Sequence, residues 1–330
     1  VREGLDEISW PGKRFFARQG WVLLLQVFLS FVVITAVFRH RRVLNESKRW
    51  RFLAARPFAA GLFLGAITTI WFYYYGGAPA IWKLAINAVA GLSFARLSRG
   101  LIEASWKRKF VYGLVFALII TQLLNVLDLP LPLFRLYTVL ASLAVLLLCM
   151  RWAGESIRQR HSALYTWSLR LGALFFAAII IAEFWGKAAL AQDLFLSLID
   201  SIATVLVFML FLYMIHGVLE WVFRSSPLRR TTVLYKDPDG IIRRVARLID
   251  VAICGLVLLP TILMIWGIFN SLEAATKGLL ALGLNLGSQR ISVGLVITSA
   301  GILYGSFLAS WIIQKLLIDE VLARRRVETG

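Results

Sequence analysis

Residues 22–38 read VLLLQVFLSFVVITAVF, broken only by Gln26, Ser30 and Thr35. A strand of a membrane β-barrel would alternate apolar and polar positions over about 10 residues, and this stretch does not. It is read instead as a helix long enough for the hydrocarbon core of a bilayer, about 20 apolar residues. The rest of the chain repeats the pattern. Of its 330 residues 59% are hydrophobic and 16% charged, and mean hydropathy is +0.76. Ordinary soluble domains are about 45–50% apolar and about 25% charged, so a water-soluble globule is excluded.

Nine stretches satisfy the length needed for a crossing: 20–38, 57–75, 79–95, 110–128, 133–150, 170–186, 194–216, 250–269 and 291–313. The expected fold is all-α, a polytopic transmembrane protein whose spans follow one another as antiparallel hairpins. Turn signals such as GGAPA (76–80) and DLPLP (128–132) join neighbours tightly. Lys83 inside the third stretch leaves a re-entrant hairpin open there. Residues 1–19 then precede the membrane, 20–269 hold the first eight spans, 270–290 form an outer loop with a short interfacial helix, and 291–330 hold the last span and an inner extension.

Lys and Arg total 36 against 18 Asp and Glu, a formal +18. Nucleic acid is not the expected partner, because the basic residues sit in short clusters between apolar spans, where the topology rule and anionic lipid account for them. Alternate connections carry 27 of the 36. The positive-inside rule places these in the cytoplasm, the start of the chain outside and its end inside, as in a bacterial inner membrane. A start outside without a signal peptide suggests a fragment of a longer protein. Candidate anchors to the anionic inner leaflet are Arg39, Arg41, Arg42, Lys48, Arg49, Arg51, Lys107, Arg108, Lys109, Arg229, Arg230, Arg243, Arg244 and Arg247. The last three belong to IIRRVARLI (241–249), an amphipathic helix that either lies on the leaflet or continues the eighth span.

Chemistry at membrane depth requires ionisable groups, which are costly there. Asp200 is placed a few residues into the seventh span. Glu183 and Lys187, four apart, are expected to pair on one helical face, and His216 and Glu220 lie one turn apart. Interfacial or structural roles suit all of them. Cys149 and Cys254 have no ligand-like spacing around them, and no HExxH, GxSxG or GxxxxGK[ST] motif occurs. Neither an enzyme, a metal site nor a cofactor is expected. Gly61 with Gly65, and Gly301 with Gly305, have the small-xxx-small spacing of close helix contacts, and Pro260 marks a kink in the eighth span. Aromatics at 71–75 and Trp50 and Trp106 fit interfacial belts.

The closing stretch has a polar approach at Asn285–Arg290, an apolar span ending in SWIIQKLL, then LLIDEVLARRR and ETG. It resembles the first core helix of the MscS-like family of mechanosensitive channels, in particular the large members with extra helices ahead of the core. The resemblance covers about the last 45 residues. It implies that 20–269 is a peripheral sensor region and 291–330 the start of a channel module. The pore helix and cytoplasmic domain of that family have no counterpart in these residues. It further implies a homo-oligomer, heptameric in that family, that releases ions and small osmolytes on hypo-osmotic shock. A secondary transporter or lipid flippase, or a non-catalytic membrane scaffold, are the competing expectations.

Overall fold

A computed structural model describes residues 11–46, 49–75, 77–102, 105–127, 131–158, 163–225, 238–286 and 289–316. These are helical apart from one short hairpin. The helices are α1 (Lys13–Arg39), α2 (Arg41–Glu46), α3 (Arg51–Ala54), α4 (Pro57–Tyr75), α5 (Ala80–Ser98), α6 (Ser105–Val126), α7 (Leu131–Arg158), α8 (Ala163–Phe184) and α9 (Ala188–Ser225). After them come α10 (Pro238–Ile253), a π-helical segment (Cys254–Leu258), α11 (Leu259–Ile265), α12 (Leu272–Ala281), strands β1 (Gly283–Leu286) and β2 (Gln289–Ser292), and α13 (Val293–Leu316).

Seven helical stretches among the described residues are long and apolar enough to cross a membrane: Lys13–Arg39, Ala80–Ser98, Lys107–Val126, Pro132–Arg158, Thr166–Phe184, Ala188–Val222 and Ile242–Ile265. Two further apolar stretches, Pro57–Ile70 and Gly294–Phe307, are shorter. Together they fit a multi-pass membrane protein. The helices outrun the apolar windows read from sequence. α1 begins at Lys13 and α9 runs through 38 residues, about 57 Å at ~1.5 Å per residue, because helical hydrogen bonding continues into the polar flanks. The third stretch is one uninterrupted helix, α5, so the re-entrant alternative does not hold.

The chain divides into two units, 1–203 and 204–330. In the first, α1 packs on α4, α4 on α5, α5 on α6, and α7 on α8. One core gathers Val22, Ala66, Tyr73, Ala78, Ile86 and Ala90; the other gathers Phe176, Ile179, Ala182, Ala191, Phe195 and Ile199, with Tyr137 and Ala141 against it. Polar side chains cross between helices: Tyr73 Oη donates to Gln26 Oε1 (3.2 Å), Asn87 Nδ2 to Gln122 Oε1 (3.1 Å), and the hydroxyls of Thr121 and Tyr137 share a bond of 2.8 Å. In hydrocarbon such bonds fix helix pairing where apolar contact alone discriminates poorly.

In the second unit α10 runs without a break through the π segment into α11, so the amphipathic stretch continues the eighth span. The Cys254–Leu258 segment ends two residues before Pro260, whose ring cannot fit a regular α-helical ladder. Thr261 Oγ1 donates to the Val257 carbonyl at 2.7 Å, the i→i−4 back-bond that helical threonines make. The loop expected at 270–290 holds α12, capped by Ser271, whose Oγ accepts from Ala274 N at 3.1 Å. It also holds β1, which pairs antiparallel with β2 from Gly283↔Ser292 to Leu286↔Gln289, an element not expected from the sequence.

Candidate functional site

Two basic connections of the first unit meet in space, the one before α4 and the one between α5 and α6. Arg56, just ahead of α4, donates from Nη1 to the Arg96 carbonyl oxygen at 2.6 Å, tying the start of α4 to the end of α5. Burial, followed by the positive charge of Arg99, pulls the Arg56 guanidinium below its ordinary pKa. Arg96 and Arg108 act in the same direction and Tyr112 opposes them. Arg56, Arg96 and Arg99 at the end of α5, and Arg108 near the start of α6 therefore share one neighbourhood. Such a concentration of like charge is stabilised by an anion.

Of the expected anchors, Arg39, Arg41, Arg42, Arg51, Lys107 and Lys109 are exposed, and Arg49 and Arg108 half-buried. Arg243, Arg244 and Arg247 are exposed on α10 and Ile242 is buried, while Leu248 of the expected apolar face is exposed as well. Lys48, Arg229 and Arg230 lie outside the described residues.

The ionisable groups at depth are partnered differently from the sequence expectation. Glu183 is buried and pairs with Arg135 at the start of α7, not with Lys187. The reason is the helix end. Gly186 takes φ +75°, its N–H bonding Glu183 O, and Lys187 N bonds Ala182 O, so the α8 helix stops before Lys187 can share a face with Glu183. α4 and α11 end on glycines of the same kind, Gly77 and Gly267. His216 Nε2 lies 2.7 Å from Asp250 Oδ1 of α10, a partner 34 residues away. Asp200 is exposed and stands 12 residues inside α9. Among the described residues no three His, Cys, Asp or Glu side chains gather as a metal site would require.

The two glycine pairs meet opposite surroundings. A Cβ on Gly61 would lie 2.6 Å from the Ser30 carbonyl oxygen, and one on Gly65 would lie 2.9 Å from that of Gln26, so α1 and α4 approach closely enough to exclude any side chain. Around Gly301 and Gly305 there is nothing within 4 Å. α13 is held near its start, where a Cβ on Gly294 would lie 2.9 Å from Leu280 O of α12, and is exposed at every position from Leu295 to Phe307.

Compared with protein-family models, curated proteins and solved structures, the chain matches none.

Proposed function

We propose that this chain is the membrane-tension-sensing region of a mechanosensitive channel, ending in the first helix of its conducting module and working as a homo-oligomer. Seven subunits follow if the likeness of residues 285–330 to the MscS-like family holds. The observation that carries the reading is α13, an apolar helix exposed from Leu295 to Phe307 and bearing two glycines with open space around them. A helix of that kind suits packing against another copy. The two shorter apolar stretches, 57–70 and 294–307, bring the crossings to nine. In this reading they are antiparallel hairpins with the start of the chain outside a bacterial inner membrane and the end in the cytoplasm.

Tension favours whichever state occupies more membrane area, and it biases gating only through a difference between states. Lipid-facing helices such as α1, with Leu24 70% and Phe31 67% exposed, couple the protein to bilayer thickness. The basic cluster around Arg56 would hold the hairpins to anionic headgroups, each Lys or Arg near the surface contributing about 1 kcal/mol. The opening would pass ions and small osmolytes on hypo-osmotic shock.

The test is patch-clamp recording of the complete reading frame's product in liposomes under graded suction. Pressure-gated currents are expected, with a shifted threshold when Arg49 and Arg51 are both changed to Gln. Silence under suction up to patch rupture overturns the reading. A secondary transporter or lipid flippase is the second reading, favoured by the π segment before Pro260, since transporters bind substrate at broken helices. Solute uptake or lipid scrambling in the same liposomes without pressure-gated current would put it first.

A further inference from the structure

Between α6, α7, α8 and the start of α9, with every lining residue in the first unit, lies a cavity of about 620 Å³, a volume in the range of ligand sites, about 300–1,000 Å³. Its two ends differ chemically. The deep wall is apolar, formed among others by Ala117, Ala141, Val145, Phe195 and Ile199, while the rim carries Lys109, Arg151, Trp152 and Glu155. Ala141 and Arg151 stand on the same helix, ten residues apart, an axial distance of about 15 Å at ~1.5 Å per residue. That is half of the ~30 Å hydrocarbon thickness, the depth of one leaflet. The cavity is therefore a slot as deep as one acyl chain, opening at the end of the bundle where Lys107, Arg108, Lys109 and Arg158 lie.

The rim is built for an anion at headgroup level. Arg151 Nε faces Glu155 Oε1 at 3.4 Å, with the two side chains 75% and 46% exposed. So long and wet a pair is weak enough to open toward a stronger partner. With Lys109 beside it the rim keeps a net positive charge even with Glu155 counted. Phe110 and Trp152 meet edge to face at 5.1 Å, the amphipathic aromatic boundary common at the headgroup layer.

We propose that this slot holds one acyl chain of an anionic glycerophospholipid from the leaflet on the basic side, with its phosphate between Lys109 and Arg151. The site depends only on the protein spanning a bilayer and stands whether the chain gates a pore or carries a solute. Gly113 supplies a means of closing it. Gly113 lines the slot, and a Cβ there meets nothing within 4 Å, so a larger side chain can start there without a clash and extend into the slot.

The test uses the full chain, purified in mild detergent, and phosphatidylglycerol or phosphatidylcholine bearing a mid-chain diazirine, with adducts located by peptide mass spectrometry. Adducts from phosphatidylglycerol are expected on 141–148 and 195–202, about 25- to 30-fold above those from phosphatidylcholine, the preference two basic groups at about 1 kcal/mol each give. Gly113→Leu is expected to remove most of them. Lys109→Gln with Arg151→Gln is expected to keep the adducts and erase the headgroup preference. Adducts spread evenly over the outer helix faces, equal labelling by the two lipids, or undiminished labelling of a folded Gly113→Leu protein would each overturn the proposal. So would competition by millimolar glycerol 3-phosphate, which would make the ligand a soluble phosphate. Mapping on the unaltered chain tests the site without any variant.

Discussion

α4 and α13 carry the same glycine spacing and live in different surroundings. Gly61 and Gly65 sit where α1 comes within Cβ distance of the backbone of α4, and the carbonyls of Gln26 and Ser30 occupy the space a side chain would need. Gly301 and Gly305 meet nothing. The motif alone thus states that a helix can be approached closely and leaves open what approaches it. In α4 the partner is in the same chain; in α13 the proposed partner is another copy.

The difference can be broken from the packed side first. Arg135→Ala leaves Glu183 buried without its cation, which in buried pairs costs about 3–5 kcal/mol. Because Arg135 is itself about half exposed, a loss at the lower end is expected, read as unfolding free energy in bicelles. Restoration by a further Glu183→Gln change would show that the stranded charge is responsible. Next in size is Gly65→Leu, which forces α1 and α4 apart. Overpacking of this kind costs about 1–3 kcal/mol, measured the same way. Asn87→Leu, which removes the bond to Gln122, is expected to cost about 0.6 kcal/mol, the mean for hydrogen bonds between membrane helices. Smallest of all is Gly305→Leu, whose effect on unfolding of the isolated chain should stay within about 0.5 kcal/mol. The same substitution should lower the oligomer fraction on native gels, whereas Gly65→Leu should act first on stability.

The helices were legible in the sequence because hydropathy over about 20 residues reports membrane burial directly. Pro57–Tyr75 coincides with its expected limits. Helix ends were less legible. α1 and α9 extend past their apolar windows since a helix stops for backbone reasons, such as Gly186 at φ +75°, and not where hydropathy falls. That same glycine separates Lys187 from Glu183. The true partner, Arg135, lies 48 residues away, and no local spacing encodes such a pair. Asp250 as the partner of His216 was hidden for the same reason. Pro260 announced a disturbance in its helix, though not that the chain would absorb it as a π segment. The hairpin 283–292 went unseen because two four-residue strands carry too little periodicity to stand out beside a long apolar span. The basic cluster was visible as composition; its convergence on Arg56 required the fold.

The claim at the centre of the account is that α13 is covered by another copy of the chain. It is tested by placing p-benzoylphenylalanine at Phe307, which is 78% exposed, and irradiating the protein in its native membrane. Phe31 of α1, 67% exposed, serves as the lipid-facing comparison. The account predicts covalent multimers of the chain from position 307 and only monomer from position 31. Monomer alone from position 307, with efficient lipid adducts, would contradict it.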